Sequence, residues 1–316
     1  MAPSVRFFRC ITILASFCEC MLLASPKLIT TPFGFVEADI SYSSLQKNSM
    51  DLYIPHQLDF SAIVSDQVES PLSESSEARK HIPVILFIHG GSFVAGDRKE
   101  YPYAQIGEAF QQRGIICAVM SYRLMKDSVW PAQPRDVARA VRWLKENIGE
   151  YGGDSEKIFV VGHSAGGHLA ALISTDSTYL NEAGLSLTDI SGTVAIGAMM
   201  SDGGSLSALT PSDEHRLFHS DWFFKIFGSK QNFINSLPLR HVNPFMPRML
   251  ILLADSELND PPKEQTVKEF IALAQRCRSD VQYQILENRT HMGTVERMAN
   301  PSDPAIQSIV AFISTR

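Results

Sequence analysis

Residues Lys157–Leu172, KIFVVGHSAGGHLAAL, constrain this chain more than any other stretch. Ile158, Phe159, Val160 and Val161 form a short apolar, β-rich run of the kind that makes a buried strand. Gly162-His163-Ser164-Ala165-Gly166 follows at once, and Gly167-His168-Leu169-Ala170-Ala171-Leu172 then reads as the start of a helix. A serine on so tight a strand-to-helix turn takes strained backbone angles, so the residues two before and two after it must lack side chains where the turn folds on itself. Gly162 and Gly166 meet that need. The turn exposes the Ser164 hydroxyl and aims the first helical N–H groups at whatever it attacks. Gly-x-Ser-x-Gly alone is common in glycine-rich turns, so its meaning depends on what accompanies it.

The surrounding pattern is an alternation of strands and helices. Phe35–Tyr42 and Met50–Ile54 alternate apolar and polar residues about a polar turn at 46–48, which predicts an antiparallel hairpin at a sheet edge. Pro83–Ile88 is a continuous apolar run, the mark of a parallel strand buried on both faces, and it ends in His89-Gly90-Gly91-Ser92-Phe93. A helix over 103–113, a strand over 115–120 and a helix over 134–150 lead to the serine turn, with Tyr151-Gly152-Gly153-Asp154 between. Val194–Met200, Met249–Leu253 and Val281–Leu286 are further strands, with helices over about 263–277 and 305–313. This order predicts an α/β fold, one doubly wound and mainly parallel sheet over residues 26–316. The aromatic-rich region 201–243 reads as a small lid or a packing element.

A serine hydroxyl is a poor nucleophile unless an imidazole takes its proton, and that imidazole needs a carboxylate to fix its tautomer. When strand ends supply all three, the chain order is nucleophile, acid, histidine. His291 follows the 281–286 strand in a polar loop and is the candidate base; His163 and His168 flank the serine in a supporting place, and His215, His219 and His241 fall in the irregular region. Two acids compete after the 249–253 strand: Glu257, four residues before Pro261, and Asp255, nearer the strand end. A tetrahedral oxyanion needs backbone donors, for which Ala165, Gly91 and Ser92 are the candidates.

Taken together, His89–Phe93, Trp130–Asp136, Tyr151–Asp154 and Gly162–Leu172 resemble the α/β-hydrolase superfamily, in the carboxylesterase branch related to hormone-sensitive lipase, kynurenine formamidases and prenylcysteine methylesterases. The resemblance implies Ser164 as nucleophile, His291 as base, and Gly91, Ser92 and Ala165 as oxyanion donors, cleaving a carboxylic ester through an acyl-enzyme without cofactor or metal. The chain departs from the pattern in carrying Ser92 where lipase-like relatives have a third glycine and formamidases a tyrosine, and Glu257 where aspartate is usual. N-formylkynurenine or a prenylcysteine methyl ester is the alternative substrate. A catalytically silent binding module is the alternative outside enzymology.

The rest of the chain bounds these readings. A net charge of −6 with no basic stripe argues against a nucleic-acid partner, leaving a small ester or amide. Arg6 and Arg9 ahead of an apolar run to Ala24 predict a signal peptide or anchor over 1–25, hence the secretory pathway rather than the cytoplasm and membrane association through that segment. Residues 59–80, rich in Ser and Glu, read as a disordered solvated loop.

Overall fold

The computed structural model describes residues 27–56, 82–202, 225–259 and 261–315. The N-terminal segment, the Ser/Glu loop, His215, His219 and most of the aromatic-rich region lie outside the described residues. Among the described residues no helix is long and apolar enough to cross a membrane.

The centre of the fold is β4 (Ile82–Ile88), every residue of which is buried. Strands shielded on both faces have no polar side, which is why the sequence there is a continuous apolar run. β5 (Ile116–Ser121) and β6 (Gly153–His163) flank β4 in parallel, with Val84 opposite both Ile116 and Ile158. Parallel neighbours require crossovers, supplied by α1 (Tyr103–Gln112) and α2 (Ala132–Asn147). Alternate strand residues face opposite layers. Val84, Leu86 and Ile88 of β4 and Ile158 and Val160 of β6 share a core with Val137, Val141 and Leu144 of α2 and with Leu169 of α3 (Ala165–Thr175). Ile85, Phe87, Phe159 and Val161 pack on the other side, against Ile106 and Phe110 of α1 and Ile306 and Ile309 of α8 (Pro304–Ser314).

Among the described residues the sheet has nine strands in the order β1-β2-β3-β5-β4-β6-β7-β8-β9. β1 (Lys27–Thr31), β2 (Gly34–Ser41) and β3 (Ser49–Pro55) join antiparallel to each other and to β5. β7 (Gly192–Ile196), β8 (Met249–Ala254) and β9 (Val281–Leu286) continue the parallel part. The expected hairpin is β2–β3, and β1 adds an edge strand that the pattern did not predict. α4 (Thr178–Glu182) precedes β7, and the chain between β7 and β8 includes α5 (Lys230–Ser236). α6 (Pro261–Arg276) connects β8 to β9, and α7 (His291–Arg297) precedes α8.

Three differences from expectation bear on the site. β6 begins at Gly153 because Gly152, at φ 82°, closes the preceding helical turn in the left-handed region. β7 stops at Ile196 instead of running to Met200, since Gly197 turns the chain at φ 57°. His291 opens a short helix instead of lying in an open loop, because the Thr290 hydroxyl caps it by accepting Gly293 N–H at 3.0 Å. All parallel strands point their carboxyl ends to one edge of the sheet. Ile88 pairs with Gly162, His163 with Ile196, Ile196 with Leu252 and Ala254 with Leu286.

Candidate active site

The serine turn sits at that edge. Ser164 holds φ 55° and ψ −118°, outside the helical region, as the residue before the first turn of α3. Its strain is held from both sides: Ser164 N–H donates to Ile196 O at 2.8 Å, and Ser164 O accepts His168 N–H at 2.9 Å. The two flanking glycines are sterically required. A Cβ on Gly162 would lie 2.2 Å from Gly166 O, and one on Gly166 2.2 Å from Ile88 O. Ala165, next to Ser164, opens the helix, where backbone N–H groups have no intrahelical acceptor.

The loop after β4 lies against this turn. Gly91, Ser92 and Phe93 have φ of 110°, 52° and 63°, three consecutive residues in the left-handed region. Gly91 O accepts Val94 and Ala95 N–H, both at 3.0 Å, which curls the loop, and buried Phe93 anchors it edge-on to Trp130, Phe227 and His168. Gly91 and Ser92 donate their backbone N–H groups to no described residue.

The two candidate acids separate clearly. Glu257, 5% exposed on the 3-10 turn Asp255–Asn259, puts Oε1 2.7 Å from His291 Nδ1, while Oε2 accepts Ala254 N–H at 2.9 Å. Burial alone would raise its pKa, but the hydrogen bonds from His291 and Lys263, and the charge of Lys263, hold it down to about 2. Asp255 turns instead to the loop that carries the histidine, accepting the N–H groups of Asn288 and Arg289, both at 2.8 Å. Those bonds keep its carboxyl below the usual carboxylate range. Arg289 completes the clamp: its carbonyl accepts Ser256 N–H, and its buried guanidinium pairs with Asp303, the cap of α8, at 2.7 Å.

His163 ties the serine turn to His291. Its Nε2 lies 3.1 Å from His291 O and its ring 4.6 Å from the His291 ring. A carbonyl can only accept, so Nε2 carries the proton and Nδ1 is the acceptor, facing the Tyr103 hydroxyl at 3.5 Å. That hydroxyl accepts Gly90 N–H at 3.0 Å, so one chain of contacts runs from the His-Gly-Gly loop to the histidine loop. Burial, helped by the nearby His291, pushes the His163 pKa down to about 3.

Glu257 and His291 thus meet directly, and Ser164 reaches the same strand edge through Ile196 and the His163 contact. Asp255 touches the site only through backbone. Three contributors escaped the sequence reading: Tyr103, Lys263 and Gly197, a Cβ on which would lie 2.9 Å from His291 Cε1 and Nδ1 and 3.1 Å from Glu257 Oε1. Gly197 falls inside the expected strand 194–200, and a glycine interrupting that apolar run was its one signal. Among the described residues no group of three or more His, Cys, Asp or Glu side chains is arranged to hold a metal.

A mostly parallel nine-stranded sheet with helices on both faces and a strained serine turn after its central pair of strands defines an α/β-hydrolase fold. The chain belongs to the family described as BD-FAE, whose model matches residues 72–257. Among curated proteins it is 40% identical over 93 residues to Esterase LipC of Mycobacterium tuberculosis (strain ATCC 25618 / H37Rv), covering 29% of this chain and 23% of LipC. It is 20% identical over 318 aligned positions to the probable isoprenylcysteine alpha-carbonyl methylesterase ICME of Oryza sativa subsp. japonica, covering 97% of this chain and 72% of that one. The chain spans less than a quarter of the length of the mycobacterial relatives it matches, 23%, 22% and 21% in turn. Among solved structures, a truncated carbohydrate esterase from gut microbiota superposes with a TM-score of 0.64 at 17% identity, over 89% of this chain and 96% of that one. Esterase B from Lactobacillus rhamnosis superposes with a TM-score of 0.62 at 17% identity, over 88% and 83%.

Proposed function

We propose that this chain is a serine hydrolase that cleaves carboxylic esters through an acyl-enzyme. Ser164 Oγ attacks the ester carbonyl carbon and His291 Nε2 takes its proton. Glu257 accepts the Nδ1–H, fixing the tautomer that leaves Nε2 free as base. The N–H groups of Gly91, Ser92 and Ala165 receive the oxyanion, and the alcohol leaves with the proton that His291 returns. Water, deprotonated by the same imidazole, then attacks the acyl-serine, and the carboxylic acid departs as Ser164 regains its proton. The observation that carries this reading is the 2.7 Å contact between Glu257 Oε1 and His291 Nδ1 beside a serine held at φ 55°.

The test is labelling by a fluorophosphonate together with hydrolysis of a p-nitrophenyl ester series. Ser164→Ala is expected to fold normally, resist labelling and lose turnover by several orders of magnitude, because nothing else replaces the attacking oxygen. Retention of more than ~10% of the wild-type rate would place the nucleophile elsewhere. The near full-length match to the rice methylesterase favours a methyl ester of a prenylated cysteine as second substrate, to be assayed beside the series. The segment over 1–25 is proposed as a secretory leader or anchor, which N-terminal sequencing of the mature protein would check.

A further inference from the structure

The carboxylate that orients His291 has one partner more than ester cleavage uses. Lys263, in the first turn of α6, sets Nζ 2.5 Å from Glu257 Oε1, the oxygen that also faces His291 Nδ1. With Oε2 engaged by Ala254 N–H, the carboxylate is fully committed. Its side chain is 5% exposed, against 26% for Lys263, so the lysine reaches inward from the rim to a buried acceptor. A surface ion pair of this kind contributes little, but here the anion is shielded from water and screening is weak.

A carboxylate beside a histidine does two separable things. It fixes the tautomer by accepting Nδ1–H, and it stabilises the imidazolium by its charge. An ammonium on the same oxygen leaves the first intact and opposes the second, because ammonium and imidazolium are like charges with one oxygen between them. Resting on the ester-hydrolase reading of the site, we propose that Lys263 is a positioning residue that acts on His291 through the Glu257 oxygen the two share, its charge opposing the formation of an imidazolium there.

Among the described residues the other charged or titratable groups on elements packed about His291 are already committed. His163, at the end of β6, is kept neutral by burial. Asp255 is bonded to the backbone of the histidine loop, and Arg289 to Asp303. Glu296 and Arg297 of α7 itself are exposed to solvent, where their charges are screened. The lysine in contact with the shared carboxylate oxygen is the charge left to act on the imidazole.

The experiment is a histidine titration by NMR in the full chain carrying Ser164→Ala, so that it reads protonation independently of turnover. Lys263→Met is expected to raise the His291 midpoint by about one pH unit, because a close like charge is removed. Lys263→Gln, which keeps a donor toward Oε1 without the charge, should match it and guards against a folding defect in the methionine variant; Lys263→Arg should leave the midpoint in place. In chains retaining Ser164, the acid limb of kcat/KM should move upward with the NMR midpoint. An unchanged or lowered midpoint in both neutral variants overturns the proposal, as does a loss of rate equal at every pH, which would mark Lys263 as structural. Failure of the wild-type chain to label with a fluorophosphonate would instead defeat the ester-hydrolase reading, with the midpoints still reporting on Lys263.

Discussion

Asp255 and Glu257 stand two residues apart on one 3-10 turn and have the same charge, yet they act on different parts of the same loop. Glu257 meets the imidazole of His291, while Asp255 takes the N–H groups of Asn288 and Arg289 and so holds the backbone from which that imidazole projects. Their isosteric, uncharged replacements should therefore differ in size of effect. Glu257→Gln presents an amide that can offer N–H to Nδ1, stabilising the wrong tautomer, and should cost roughly 10⁴ in turnover. Asp255→Asn leaves one carbonyl oxygen for the three backbone donors Asn288, Arg289 and Ser256 and moves His291 indirectly, which should cost no more than about 10². Steady-state kinetics on both variants, with melting temperatures to exclude unfolding, decides the matter. A larger loss for Asp255→Asn at unchanged stability would make Asp255 the orienting acid.

At the scale of elements, the site is assembled from strand ends, and what was legible in the sequence follows from how each end is built. β4, β5 and β8 are buried along their whole length and read as apolar runs, and the serine turn announced itself as two glycines about a serine between a strand run and a helix, although only Gly162 is demanded from within that segment, by Gly166 O, while Gly166 is demanded by Ile88 O at the end of β4. β1 is exposed on nearly every residue, so no alternation marked it. α7 has seven residues, too few to show a helical period, and its start is set by one threonine cap. Lys263 was illegible because its reach to Glu257 depends on how the turn after β8 folds α6 back, which no spacing along the chain encodes. Gly197 is the same kind of residue, required by two side chains that come from other elements. Gly197→Ala combines a left-handed φ with a methyl group against the imidazole and the carboxylate. The backbone strain should cost about 1–3 kcal/mol and lower the melting temperature by several degrees. Displacement of His291 from Glu257 should cost at least ~10-fold in kcat. An alanine variant that melts lower with kcat untouched would show that the pair tolerates a raised floor.

At the scale of the whole molecule, the layer at the carboxyl edge of the sheet holds three buried histidines among the described residues, and they make the fold sensitive to acid. His89, His163 and His168 are each 1% exposed or less. Burial lowers the pKa of His89 to about 4 and of His168 to about 4, in each case against the opposing pull of one backbone carbonyl, Gly90 O or Met199 O. Burial and the neighbouring His291 take His163 to about 3. Below pH ~6.5 the unfolded chain takes up protons at all three while the folded chain does not, so their contribution to stability is complete above ~6.5 and declines as pH falls toward the folded values. Well inside that window each pH unit removes ~1.4 kcal/mol per histidine, and since the unfolded imidazoles are only half protonated at ~6.5, moving from pH 6.5 to 5 should cost roughly 5 kcal/mol, comparable with the whole stability of many domains. Glu257 acts in the same direction at lower pH: its carboxyl, held down at about 2, contributes stability above its ordinary value near 4.5 that is lost as pH falls through that range. Urea unfolding followed by tryptophan fluorescence should therefore show midpoints level above about pH 7 and falling steeply from ~6.5 to 5. His168→Gln, which cannot take up the proton, should flatten that fall by about a third, being one of three equivalent contributions. Midpoints that stay level from pH 7.5 to 5 would mean that these histidines take up protons in the folded state, and that the layer beneath the candidate active site is open to water.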